Sequence, residues 1–124
     1  IQAMRLPKST DQDQENRKIA IEKATKNAIE VPYGILKLSY SSMNILKQMA
    51  NKGLSSSISD VGVGAACART AVLGAYLNVK INCKELDDKK YTDKILTDSK
   101  KVKDQALKKE AQILKIVKTK IEGK

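Results

Sequence analysis

Histidine is missing altogether from these 124 residues, as are phenylalanine and tryptophan. Without His the commonest general base, every Ser-His or Cys-His nucleophile pair and most transition-metal sites are excluded. Any catalysis has to run on carboxylate, Lys, Tyr, Cys or backbone groups, and no metal is expected. Four Tyr are the whole aromatic complement, too few stacking platforms for a single-stranded nucleic-acid binder. Cysteine occurs twice, at Cys67 and Cys83. If one helix holds both, they lie about 24 Å apart at ~1.5 Å per residue, well beyond the roughly 7 Å between Cα atoms that a disulfide allows. Two lone thiols with no CxxC pair read as reduced, which puts the expected location in the cytoplasm, and no signal peptide is visible.

The charge that is present is mainly positive, 24 Lys and Arg against 14 Asp and Glu, for a net +10. It is diffuse: +4 over residues 1–52, +1 over 53–83 and +5 over 84–124. An even basic surface attracts anionic ligands at long range, but it lacks the dense arm or groove of a nucleic-acid binder, so no nucleic-acid partner is expected. The length suits one domain with one core, residues 1–124. Ile1 stands where an initiator Met would, and the chain is expected to be the C-terminal portion of a longer helical domain.

No segment alternates apolar and polar residues over a strand's length, so the fold class is all-α, a long-helix up-and-down bundle. Ser9 and Gln12 have capping-box spacing, and Asp11, Asp13 and Glu15 suit the positive end of a helix dipole. Apolar residues then recur at helical spacing, Ile21, Ala24, Ala28 and Val31, and resume beyond Pro32 as Ile35, Leu38, Ser42, Ile45 and Met49. Pro32 is expected to kink or divide this helix, and Gly53 to close it in the left-handed conformation. A serine-rich loop follows, with Ser57 or Ser59 capping the next helix. A last helix from Asp87 or Asp88 to about Glu122 carries a stripe through Tyr91, Ile95, Val102, Ala106, Ile113, Val117 and Ile121.

Between Ser59 and Asn82 only Asp60, Arg69 and Lys80 are charged. A central Arg and a Gly/Ala-rich composition argue against a membrane span and for the core helix of a bundle. On a helical wheel Asp60, Gly64, Cys67, Ala71, Gly74, Asn78 and Asn82 fall near one line. Small residues there allow a neighbouring helix to come close, and Cys67 reads as a small core residue. Arg69, Tyr76 and Lys80 group on the opposite face, either solvated or in a subunit contact. Asp60 serves either the helix end or a ligand, and Asn78 and Asn82 either open carbonyls or a polar ligand.

The runs AMRLPKST at Ala3–Thr10, SDVGVGAA at Ser59–Ala66 and GAYLNVKIN at Gly74–Asn82, followed by acidic Asp87 and Asp88, together resemble the formiminotransferase-cyclodeaminase family, most closely its cyclodeaminase half. Three blocks in order across most of the chain are far more specific than any one motif. The resemblance implies a dimerising helical bundle acting on tetrahydrofolate that carries a one-carbon unit. Its reaction would be cyclisation of 5-formiminotetrahydrofolate to 5,10-methenyltetrahydrofolate with loss of ammonia, within histidine breakdown. Bacterial relatives are methenyltetrahydrofolate cyclohydrolases. The chain departs from the family in lacking the helical portion upstream of RLPK with its Pro-Gly-Gly-Gly-type turn.

Ring closure is general acid-base work that needs no covalent intermediate, and with no His available Asp60 is the first choice for the proton-handling carboxylate. Ser59 beside it is an expected substrate-binding residue, and Asn78 and Asn82 are expected to orient the pterin. Arg5 and Lys8 of the RLPK block would meet the glutamate tail of the folate, polyglutamylated or not. Asn78 and Asn82 lie about 27–33 Å along the helix from Asp60 at ~1.5 Å per residue, so one pocket joins them only if another chain folds over them. The alternatives are a cyclohydrolase and a non-catalytic helical dimerisation module.

Overall fold

A computed structural model describes residues 1–123. Three long helices, α1 (Asp11–Lys52), α2 (Ile58–Cys83) and α3 (Lys89–Glu122), account for most of them, with single 3-10 turns at Ala3–Arg5 and Ser55–Ser57. No strand occurs among the described residues. The connections after α1 and α2 are short, so neighbours in sequence run antiparallel. Contacts step down α1 as they step up α2, from Leu46 against Gly64 to Ala28 against Asn82. The same holds from Val117 against Gly62 to Glu110 against Arg69 between α3 and α2. The expected up-and-down bundle is what forms.

Its core is built on residues that the apolar spacing of α1 did not single out. Ile29, Leu36, Met43 and Ala50, seven apart, are fully buried, against Val61, Ala65, Val72 and Val79 of α2 and Ile95, Ala106, Ile113 and Val117 of α3. The stripe expected from the sequence lies outside: Val31, Ile35, Leu38, Ile45 and Met49 are exposed, Leu38 to 73%. On α2, Val63, Cys67, Thr70, Gly74, Leu77 and Ile81 are exposed too. Cys67 is therefore a surface thiol and not a core residue. Both stripes lie outside the core. On α1, Glu30, Tyr33, Asn44 and Lys47 are among the residues that reach α3, and on α2 Gly62, Arg69 and Tyr76 are. The α1 stripe lies roughly opposite those positions, past the flank that meets α2, and the α2 stripe points away from the core. From Ala20 to Met49 and from Val63 to Ile81 these stripes contain no charged residue.

The ends of α1 differ from expectation in instructive ways. Thr10, not Ser9, is the N-cap, its hydroxyl accepting from the Asp13 amide at 3.0 Å. Pro32 does not divide the helix, which runs through it for 42 residues, about 63 Å at ~1.5 Å per residue. Gly53 closes it in an extended conformation, φ −75° and ψ 178°, with no positive φ. Glycine is needed there for a different reason: a Cβ would come within 2.5 Å of the Met49 carbonyl oxygen. Lys120 of α3 reaches across to the open Ala50 and Asn51 carbonyls, 2.8 Å to the latter, covering the negative end of α1.

Helix α2 is long and apolar enough by composition to cross a membrane. Its inward half instead forms the centre of the core, as expected, and Arg69 is paired with Glu110 of α3 at 3.3 Å. The face carrying Arg69 and Tyr76 is thus an intramolecular contact, with Lys80 and Lys103 both over the Tyr76 ring. Gly64 serves close packing, since a Cβ there would lie 2.9 Å from Leu46 Cδ2. Gly74 has open space around it.

Candidate functional site

At the end of the bundle where α1 begins and α2 ends, the N-terminal segment folds back along α1. Arg17 Nε donates to the Met4 carbonyl and Gln14 Nε2 to the Lys8 carbonyl, both at 3.4 Å. Together with the turn between α2 and α3 this creates a cleft with two lobes. One, about 520 Å³, is polar, lined by Gln14, Arg17, Lys18, Glu22, Asp87 and Asp88. The other, about 280 Å³, has mainly apolar walls from Ile1, Ala3, Met4, Ala24 and Ala28, with Asn82 at its edge. Ile21, Thr25 and Glu85 line both. Combined, these volumes are in the range that small-molecule sites occupy.

Several of the cleft's polar groups already have structural work. Asp88 caps α3 through the Tyr91 amide at 3.2 Å and pairs with Lys26 at 3.4 Å. The capping bond first, then Lys26, holds its carboxyl below the usual carboxylate range, which makes it a poor proton acceptor. Tyr91 donates to Glu30 and lies under Lys26 Nζ; burial, then that carboxylate, pushes its phenol up. Tyr33 donates to Asp98 in the same manner on the next turns, and burial with that carboxylate raises it to about 12.

The expected site residues are dispersed. Asp60 and Ser59 are exposed in the first turn of α2, at the far end of the bundle from the cleft. Asn78 is exposed beside the outer apolar stripe, and Arg5 and Lys8 are exposed on the N-terminal segment. Of the six, Asn82 lines the cleft, where its Nδ2 donates to the Ala28 carbonyl at 2.9 Å. That carbonyl is the one Pro32, lacking an N–H, leaves without its helical donor. The open carbonyl that Asn82 satisfies thus belongs to another helix. Arg17 and Glu85 were not anticipated. The only hint of Glu85 in the sequence is its place just ahead of the acidic pair Asp87 and Asp88.

The AMRLPK segment and the end of the NVKIN run, 70 and more residues apart in sequence, therefore meet in one cleft. The sequence profile described as formiminotransferase-cyclodeaminase matches residues 1–111. This chain belongs to that family. It is 40% identical over 91 residues to the formimidoyltransferase-cyclodeaminase of Gallus gallus, covering 73% of this chain and 17% of that protein. To the Dictyostelium discoideum formimidoyltransferase-cyclodeaminase it is 32% identical over 117 residues, 94% of this chain and 21% of the relative. A methenyltetrahydrofolate cyclohydrolase of Methylorubrum extorquens is 34% identical over 91 residues, 73% of this chain and 44% of the relative. The chain spans less than half the length of each of these relatives, whose names tie the family to folate one-carbon metabolism.

Proposed function

We propose that this chain is part of a formiminotetrahydrofolate cyclodeaminase, closing 5-formiminotetrahydrofolate to 5,10-methenyltetrahydrofolate with release of ammonia. The observation that carries the reading is the cleft in which two blocks of the family resemblance converge. It supplies an apolar lobe for a flat ring and a polar lobe in which Arg17 and Lys18, set among the carboxylates of Glu22, Glu85, Asp87 and Asp88, are the cations for a glutamate tail. Attack of the folate's exocyclic nitrogen on the formimino carbon requires one proton to leave that nitrogen and one to reach the departing ammonia. Cyclohydrolase activity is the second reading, favoured by the similarity to the bacterial enzyme; it passes through the same carbon, with water in place of ammonia.

A second copy is part of the proposal. The chain carries +10, and its outer α1–α2 face is the surface where two copies meet without like-charge repulsion. An antiparallel pairing over that face carries Asp60 of one copy towards the Asn82 end of the other, which keeps Asp60 as the proton-handling carboxylate of a shared site. A cytoplasmic setting goes with the two free thiols. The test is spectrophotometric: methenyltetrahydrofolate formation from formiminotetrahydrofolate, and its hydrolysis, by this chain and by Asp60→Asn. Loss of ring closure in Asp60→Asn with the fold retained supports the role. Turnover equal to wild type removes Asp60 from the mechanism, and no folate turnover by a full-length version refutes the enzyme.

A further inference from the structure

The smaller lobe of the cleft has an unusual hydrogen-bonding inventory. Three of its side chains are polar. Asn82 spends its Nδ2 on the Ala28 carbonyl, so its Oδ1 remains as an acceptor. Thr25 donates its hydroxyl hydrogen to the Ile21 carbonyl at 2.8 Å, so its oxygen too is left with lone pairs only. Glu85 is a carboxylate, and no salt bridge engages it among the described residues. No basic side chain lines the lobe, and apart from the amino group of Ile1 the rest of its wall is apolar. What fits is a flat ring that turns a pair of adjacent N–H donors to Glu85.

Resting on the folate reading above, we propose that this lobe takes the pterin ring with its 2-amino and N3–H edge turned to Glu85. The carboxylate accepts both donors side by side, and the Asn82 and Thr25 oxygens are left to accept from the second 2-amino hydrogen and from N8–H of the reduced ring. A 2-aminopyrimidinone matches a carboxylate in this way because its two donors have the spacing of the two oxygens. Orientation follows from the two lobes: with the donor edge at Glu85, the rest of the folate extends past Ile21 and Thr25 into the polar lobe, towards Arg17 and Lys18. Glu85 on this account is a specificity-determining binding residue.

Pterin and lumazine separate the outcomes, because lumazine carries a carbonyl oxygen where pterin has the 2-amino group and so presents an acceptor to Glu85. Binding of each, and of 5-formyltetrahydrofolate, is measured by calorimetry to the wild-type chain and to Glu85→Gln, an exposed substitution that leaves the core untouched. Wild type is expected to prefer pterin by about tenfold or more, and Glu85→Gln to narrow that preference to about twofold while still binding 5-formyltetrahydrofolate more weakly than wild type. Equal affinity of wild type for pterin and lumazine, or a preference unchanged in Glu85→Gln, overturns the assignment of the edge. If wild type prefers pterin but takes no 5-formyltetrahydrofolate, the donor-edge assignment stands and the folate function fails. If it binds none of the three, both fail.

Discussion

Replacing Asn82 by Ala in two backgrounds, with and without Pro32, isolates one interaction that holds α1 continuous. Helix α1 passes through Pro32 without interruption, yet a proline inside a helix removes one N–H and leaves the carbonyl four residues earlier without its donor. That carbonyl belongs to Ala28, and Asn82 of α2 supplies the missing hydrogen bond at 2.9 Å. Removing a partner so that an acceptor is stranded costs about 1–3 kcal/mol when the site is dry. Ala28 is exposed and Asn82 half-buried, so water can reach the carbonyl and the lower end, about 1 kcal/mol, applies. In a Pro32→Ala background the residue-32 amide can bond the Ala28 carbonyl directly, and Asn82 becomes nearly dispensable. The cost of Asn82→Ala should then fall to a few tenths of a kcal/mol, a coupling of about 0.5–1 kcal/mol, within the range contacting residues show. Urea unfolding followed by far-UV circular dichroism on the four proteins measures it. An equal cost in both backgrounds would mean that Asn82 acts through something other than the proline gap, and the account of α1 given above would be wrong.

Three further outcomes follow from the structure. Tyr33 is raised from 10.0 to about 12 by burial and by Asp98, so the folded state prefers its neutral form. The stability it contributes is complete below pH 10 and is lost as the pH rises through 12, and Tyr33→Phe should flatten that alkaline limb in denaturant titrations at successive pH values; an unchanged limb refutes it. A Cβ at Gly34 would meet no atom within 4 Å, so Gly34→Ala should stabilise by about 0.5–1 kcal/mol through helix propensity, whereas Gly53→Ala, forced against the Met49 carbonyl, should destabilise by more than about 1 kcal/mol; thermal melts showing the same sign for both would sink the distinction. Leu38→Lys puts a charge on the exposed outer face and should leave the helices intact while shifting sedimentation from dimer to monomer, and a wild-type chain that sediments as a monomer at every concentration refutes pairing over that face.

How far the sequence could be read depended on the kind of signal. Helix number, order and type were legible because caps, periodicity and a charge-poor α2 all agree, and the end points of α3, Asp88 and Gly123, follow from local capping chemistry. The N-cap of α1 was misread by one residue because Ser9 and Thr10 are both good caps, and only the backbone decides between them. The candidate site was much less legible. Asp60 stands out in a charge-poor run, which is a property of its neighbours in sequence, while Arg17 and Glu85 lie in charged surroundings where nothing marks them. They become candidates only when the fold sets the N-terminal segment against the α2–α3 turn.

The phase of α1 shows why periodicity alone could not find the core. Ile29, Leu36, Met43 and Ala50 recur every seven residues, and Val31, Ile35, Leu38, Ser42, Ile45 and Met49 alternate steps of four and three. Both patterns satisfy a helical repeat, and the second is the denser and the more eye-catching. Yet the first is what the bundle buries, because α2 and α3 together cover only one side of α1. A helix with two apolar faces needs two sets of partners, and three helices can supply only one. The same is true of α2, whose small-residue line meets α1 at Gly64 and then continues uncovered at Gly74. The surplus face is the one over which the pairing of two copies is proposed. Asp60 and Asn82 lie about 33 Å apart on one helix, at ~1.5 Å per residue, so the shared site proposed above requires such a surface.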